Sequence, residues 1–349
     1  MDVVIPKGRK FRPEGPYKRV ICEGNAYIED SITAESIECR GSLEIKGDLS
    51  AVKVYVKRGL KARAVRVSSL QIGSFLTAGL VETNNLEVHG PIRVSSSLKA
   101  IRCLADGSIT ATSIDVDECM VRGSLRALRG NIGKLIVGGS IDLEKTSVRE
   151  AAISGSARLK DSEVGSMKVD GTLRLLGSIH FSYVETSIAE IKNEVEGGVL
   201  RVKDVLNVEG SLRVRKLVFE GVAKVRGRVL ADEIQLLGKA KGELTGGKMQ
   251  VVGEALSIKG EDVNVTMARV RTVRGKRVKI RDSIVNNIEA EEVEISGRSS
   301  VQSVVADRVY VVEGRVEKVF YREKMIVSPK AKVVKAVKIG DLHHLFNKE

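Results

Sequence analysis

The chain has 349 residues, a formal net charge of +13 and 42% hydrophobic residues. Aromatic residues make up 3% and tryptophan is absent, which disfavours a carbohydrate-active enzyme because its site needs clustered carboxylates and aromatic platforms. No run of about 18 apolar residues occurs, as a membrane-spanning helix would require, and no secretory leader is recognisable. We therefore expect a cytoplasmic protein, and the charge-rich composition with only four glutamines hints at a heat-adapted source.

Residues 1–20 are expected to form a basic tail outside the folded domain, because they hold three of the five prolines. Six basic residues accompany them: Lys7, Arg9, Lys10, Arg12, Lys18 and Arg19. The first three could make a weak peripheral contact with an anionic membrane surface.

Residues 21–328 carry a repeated pattern, apolar-x-apolar-x-Gly-x-apolar-x-apolar. Five segments share it, starting at Ser36, Asn85, Lys134, Ser166 and Val205. Apolar residues that begin strand-like pairs recur at a long interval, as in Leu43, Val65 and Leu86, and a shorter beat of about six residues lies within each repeat. Alternation of apolar and polar residues within each run indicates strands with one buried face.

This pattern predicts an all-β fold, a single-stranded parallel β-helix of about 21–22 residues per coil, with the right-handed form favoured. A chain of β-sandwiches is the alternative, but sandwiches usually show turn signals every 8–12 residues. The predicted inward residues hold one phase in successive repeats. They are Leu43, Ile45, Val65, Val67, Leu86, Val88, Ile114, Val116, Leu135, Leu256 and Ile258.

Two segments depart from the strand pattern. A stretched coil is expected near residues 181–198, with a short helix over 185–195. Residues 329–349 are expected to form a C-terminal segment that ends in a helix beginning at Asp341. Leu342, Leu345 and Phe346 of that helix would cover the last coil and cap the solenoid.

Three strings resemble the bactofilins, polymer-forming cytoskeletal proteins with a right-handed β-helix: residues 43–67, 107–127 and 227–244. The shared element Gly-x-apolar-x-Ala falls at Gly107-Ile109-Ala111, Gly123-Leu125-Ala127 and Gly227-Val229-Ala231. The likeness extends loosely over residues 40–315, and this chain is much longer than the usual single bactofilin domain. The resemblance implies a parallel β-helix and, less directly, a filament-forming scaffold.

No arrangement of residues predicts an enzyme, a cofactor, a metal site or a small-molecule substrate. Cys22, Cys39, Cys103 and Cys119 have no CxxC spacing and are interpreted as buried small hydrophobes, with zinc binding or disulfides as the alternatives. His89 and His180 are interpreted as solvated side chains, and so is the pair His343–His344, for which metal binding is the alternative.

Two basic clusters are candidates for binding an anion or nucleic acid. The first, the basic strip, contains Arg269, Arg271, Arg274, Lys276, Arg277, Lys279 and Arg281, with no acidic residue between Asp262 and Asp282. The second basic stretch contains Lys53, Lys57, Arg58, Lys61, Arg63 and Arg66. Such rows could follow a phosphate backbone, although a merely solvated face explains them equally well.

These observations favour a non-enzymatic, bactofilin-like scaffold that self-associates through its ends or sides. The alternative is a monomeric nucleic-acid-binding or ribosome-associated protein that uses a basic face of the β-helix.

Overall fold

The computed structural model describes residues 1–340, and the chain divides into two compact units, Met1–Tyr183 and Val184–Glu349. Each unit is a parallel β-solenoid, in which the interior coils pair their strands with those of the coils before and after them. The parallel β-helix predicted from the sequence is therefore confirmed, and no α-helix occurs within residues 1–340.

Sixteen strands lie in the amino-terminal unit. They are β1 Asp2–Ile5, β2 Lys10–Phe11, β3 Tyr17–Cys22, β4 Ala26–Ile28, β5 Ile32–Cys39, β6 Leu43–Ile45, β7 Asp48–Val56, β8 Gly59–Ile72, β9 Phe75–Val88, β10 Ile92–Ala105, β11 Ile109–Val121, β12 Leu125–Val137, β13 Ile141–Glu144, β14 Thr146–Ile153, β15 Ala157–Lys160 and β16 Glu163–Leu176. Strand β17, Ile179–Ile191, contains the boundary between the units.

Seven strands lie in the carboxy-terminal unit. They are β18 Glu194–Val208, β19 Ser211–Val225, β20 Arg228–Arg281, β21 Ile284–Ser296, β22 Ser300–Val311, β23 Gly314–Val327 and β24 Ala331–Lys338. Strand β20 is 54 residues long and so continues through several successive coils.

The coils are shorter than the sequence predicted. In the amino-terminal unit the residue numbers of register partners differ by 16 or 17, as those of Ile109 and Leu125 do, and in the carboxy-terminal unit they differ by 15 to 17. The longer period predicted from the sequence is therefore wrong. Leu43 lies beside Leu60 of the following coil, whereas Val65 lies beside Leu49 on the next side of the coil.

Each coil has three sides, which explains the error. In one coil, pairs of buried residues occur at 109 and 111, 114 and 116, and 119 and 121, and the following coil starts its first pair at Leu125. All three sides therefore look alike in sequence, and the apolar pattern repeats once per side. Three such repeats make one coil, and the predicted period of about 21–22 residues therefore spans four sides of the observed coil.

Ten of the eleven predicted core residues are buried, and Leu256 is the exception, with 42% of its surface exposed. Its neighbour Ala255 is buried instead, and the next buried residue is Ile258. These two inward residues are three positions apart because the chain turns there from one side of the coil to the next. The strict two-residue alternation assumed for Leu256 fails at that corner.

The repeated Gly-Ser pairs form one corner of the amino-terminal unit. Gly123, Gly139 and Gly155 stack on successive coils, and a Cβ atom on Gly139 would lie 2.5 Å from the carbonyl oxygen of Gly123. The serines that follow are linked from coil to coil, since the backbone N–H of Ser140 donates to Oγ of Ser124 at 3.3 Å. This corner is the structural origin of the glycine in the repeated pattern.

Two further expectations are wrong. Residues expected to form a free tail build the first coil, because β1 pairs with β3 and β2 pairs with β4. Residues 185–195, expected to be helical, belong to strands β17 and β18. The predicted stretched coil near 181–198 spans the boundary between the units and stays a prediction. The predicted capping helix with Leu342, Leu345 and Phe346, and also His343–His344, lies outside the described residues.

Candidate interaction surfaces

The basic strip is largely neutralised by acids on adjacent coils. Arg274 contacts Glu289 at 3.0 Å between Nε and Oε2, and Lys279 contacts Glu294 at 3.2 Å between Nζ and Oε2. Each acid is the register partner of its cation and lies one coil further along the chain. The sequence shows no acid within the strip itself, but the fold supplies acids from the neighbouring coil.

Three more of its residues are also paired. Lys276 contacts Glu261 at 3.1 Å, Arg277 donates from Nη2 to Oδ2 of Asp262 at 2.8 Å, and Arg281 lies 3.5 Å from Asp282. Arg269 and Arg271 are exposed and form no ion pair with any residue of 1–340. The strip therefore offers two unpaired cations and no continuous positive face.

The second basic stretch likewise contains both ion-paired and unpaired cations. Asp48 accepts a hydrogen bond from Nε of Arg63 at 2.7 Å and also contacts Arg66, which reaches Glu82 at 3.2 Å. The hydrogen bond from Arg63 lowers the pKa of Asp48. Lys61 contacts Glu44 at 3.0 Å. The members without an ion pair in the described part of the chain are Lys53, Lys57 and Arg58.

His89 lies in an exposed ionic cluster. Its Nδ1 is 2.8 Å from Oδ2 of Asp106 and its Nε2 is 3.3 Å from Oε1 of Glu87. Arg122 contacts the same Asp106 at 3.2 Å. The hydrogen bond with His89 lowers the pKa of Asp106. Because Asp106 contacts both His89 and Arg122, the cluster links three successive coils of the amino-terminal unit.

The four cysteines are buried and free, as the sequence predicted, and they form two stacked pairs. Cys22 is the register partner of Cys39, and Cys103 is the register partner of Cys119. The contact with Cys119 and the burial of the side chain raise the pKa of the Cys103 thiol. This thiol is therefore protonated at neutral pH and behaves as part of the apolar core.

A surface groove of about 1140 Å³ runs across several coils of the carboxy-terminal unit. Small residues, among them Gly246, Gly260 and Gly275, line its floor. Four basic and four acidic side chains form the walls: Lys259, Arg274, Lys276 and Arg322, with Glu261, Glu289, Glu291 and Asp307. The balance of charge gives this groove no net attraction for an anion or a cation.

One outward face of the amino-terminal unit carries an apolar ladder, a set of register partners on successive coils. Leu104, Met120, Ile136 and Ala152 are partners in turn. Met120 is 47% exposed and Ile136 is 38% exposed. Leu104, Met120 and Ile136 line a shallow cavity of about 470 Å³.

A charge ladder runs parallel to the apolar ladder, two residues earlier on each strand. Arg102, Glu118, Lys134 and Glu150 are register partners, so the sign alternates from coil to coil. Arg102 contacts Glu118 at 3.3 Å, whereas Lys134 and Glu150 form no ion pair within residues 1–340. Sequence reasoning missed both ladders, because their members become neighbours only when the true coil length is known.

The first coil and the last described coil carry much of the net charge. Residues 1–20 contain six basic and two acidic residues, and residues 324–340 contain five lysines and no acid. The outer edges of β1 and β24 pair with no other strand of the described chain. Lysine and proline on exposed edges oppose strand addition by another copy.

Within residues 1–340, no helix is long and apolar enough to span a bilayer. In the same residues, no group of three or more His, Cys, Asp or Glu side chains is placed to hold a metal ion.

Comparison with known proteins gives no family, because no family model, no curated protein and no solved structure matches this chain. The β-solenoid that the bactofilin resemblance implied is present. The relationship to bactofilins itself stays a prediction.

Proposed function

We propose that this protein is a non-enzymatic scaffold of the cytoplasm that associates with itself side by side, through the apolar ladder and the charge ladder of its amino-terminal unit. The resemblance to the polymer-forming bactofilins supports self-association. The observation that carries the lateral mode is the alternating charge ladder beside exposed apolar side chains.

The charge ladder is complementary to a reversed copy of itself. A two-fold axis along the strands places Arg102 opposite Glu150 of the second copy and Glu118 opposite Lys134. The same axis brings Met120 against Ile136, which removes exposed apolar surface from water. An interface with this symmetry closes on itself, so the product is a dimer and not a filament.

End-to-end stacking has less support. Residues 1–20 and residues 324–340 are both strongly basic, so stacking the ends of two copies brings like charges together. Because Pro6, Pro13 and Pro16 lie in the first coil and cannot donate a backbone hydrogen bond, that end is a poor template for a further strand.

Nucleic-acid binding through the basic strip also has less support, because five of its seven cations are paired with acids. The scaffold is therefore the better supported function.

Sedimentation velocity of charge variants tests the lateral dimer. The two ladders contribute eight residues from each copy, whereas a standard interface has roughly 20–30 residues a side, so we expect a Kd on the order of tens of micromolar for the wild type. Glu118→Lys and Lys134→Glu each place like charges opposite one another twice, and each should weaken the dimer on the order of tenfold.

Recombining the charges separates this interface from any other. A mixture of the two single variants should form a heterodimer, and the double variant Glu118→Lys/Lys134→Glu should dimerise like the wild type, because opposite charges face one another again. The matched control is Arg269→Glu, which changes an unpaired surface cation elsewhere. A wild type that stays monomeric at about 200 µM, roughly tenfold above the expected Kd, would refute the proposal.

A further inference from the structure

Inside the carboxy-terminal unit, a basic strand is followed one coil later by an acidic one. Arg274 and Arg277 are three residues apart on β20, and their register partners Glu289 and Glu292 are three residues apart on β21. Arg274 forms an ion pair with Glu289 at 3.0 Å, while Arg277 contacts Asp262 on the preceding coil. Both cations therefore have an acid within reach on an adjacent coil.

The last described coil also contains a basic strand, β24, but no acidic strand follows it among the described residues. Lys332 and Lys335 on β24 repeat the three-residue spacing, but their register partners are Arg315 and Lys318, which have the same charge. All five lysines of residues 324–340 are exposed, and none forms an ion pair with a residue of 1–340. These are Lys324, Lys330, Lys332, Lys335 and Lys338.

The backbone and the core are also open on this side. Among the described strands, β24 pairs with β23 alone, so half of its N–H and C=O groups have no strand partner. Val333 is only half-buried, although its register partner Val316 is fully buried one coil earlier. Val334 beside it is 54% exposed.

We propose that the outer edge of β24 binds an extended acidic segment of a partner protein, added as a further parallel strand, with carboxylates spaced as in Glu-x-x-Glu opposite Lys332 and Lys335. The partner's backbone takes the free hydrogen-bonding groups of β24, and an apolar side chain between its acids covers Val333. A second copy of this chain is a poor occupant because its first coil is basic.

The chain itself supplies the probe. A labelled peptide with the sequence of β21, Ile284–Ser296, has acids at the required spacing and already forms the acidic strand of an interior coil. Fluorescence anisotropy with the full-length protein at low salt should give saturable binding. Lys332→Gln/Lys335→Gln should weaken that binding at least tenfold, because the two lysines that face the acids of the peptide lose their charge.

Two controls separate strand addition from simple charge attraction. Arg269→Gln/Arg271→Gln removes two unpaired cations elsewhere in the same unit and should leave the affinity unchanged. A peptide of the same sequence with alternate backbone amides N-methylated keeps its charge but cannot pair along one edge, and it should bind at least tenfold more weakly. Both protein variants should keep the wild-type melting temperature, because the altered side chains are exposed.

Several results would overturn the proposal. They are absence of peptide binding, equal loss in both double variants, and equal affinity of the N-methylated peptide. Single-stranded RNA that binds as tightly as the peptide and depends on the same two lysines would assign the surface to polyanions. Competition by a peptide of residues 341–349, or loss of binding as the protein self-associates, would assign the edge to the chain itself.

Discussion

Removing one complete coil tests the coil length directly. Deletion of residues 125–140 joins Ser124 to Ile141, and the corner Gly-Ser pair is retained because Gly139-Ser140 is the partner of Gly123-Ser124. Ile141 then occupies the place of Leu125, and Leu143 occupies that of Ala127. Each lost inward residue of β12 is replaced by its own register partner, so the shortened unit keeps its fold.

The expected change in the urea m-value follows from the size of one coil. One coil is removed from a unit that spans Met1–Tyr183, so the urea m-value of that unit should fall by about a tenth, in proportion to the surface exposed on unfolding. The matched control is a longer deletion, of residues 125–146, which follows the period predicted from the sequence. It joins Ser124 to Ser147 and places Arg149 in the position of the buried Ala127.

A buried arginine without a partner destabilises by roughly 3–5 kcal/mol, and further polar residues enter the core in the same variant. We therefore expect the longer deletion to unfold or aggregate. Circular dichroism during urea titration distinguishes the two variants. A stable longer deletion together with an unfolded one-coil deletion would refute the coil length and every ladder derived from it.

Other predictions concern individual side chains and one pair of side chains. Leu135→Ala should lower the free energy of unfolding by about 2–5 kcal/mol because Leu135 is fully buried, whereas Leu256→Ala should lower it by about 1 kcal/mol or less. Urea unfolding measures both, and equal effects would contradict the assigned corner. Met267 is 66% exposed and has a φ of 48°, in the left-handed region that favours glycine. Met267→Gly should therefore stabilise the protein by about 0.5 kcal/mol, and an unchanged or lower melting temperature would contradict this. Arg269→Glu/Arg271→Glu should abolish any low-salt RNA binding by the basic strip with an unchanged melting temperature, measured by filter binding; RNA binding that persists would place the contact elsewhere.

Much of the core could be predicted from sequence. Alternation along each short run identifies the inward residues, because side chains in a strand point to opposite faces in turn, and ten of the eleven predicted positions are buried. The repeated glycine also marks a real corner. These features are local, since each depends on residues only a few positions apart.

The candidate surfaces could not be predicted in the same way, because they depend on which residues lie one coil apart. Met120 and Ile136, or Lys134 and Glu150, occupy equivalent places on successive coils, and nothing in the sequence connects them until the coil length is known. The same holds for the basic strip, whose Arg274 and Lys279 are neutralised by acids of the following coil.

The sequence by itself therefore determined that the chain forms strands, that the strands stack in parallel coils, and which side chains face inward. Only the tertiary structure decided the number of residues in a coil, and with it the outward neighbours of every side chain. The physical reason is the similarity of the three sides. Each side buries a similar apolar pair, so the hydrophobic pattern repeats once per side, whereas the backbone hydrogen bonds between coils fix which sides are stacked.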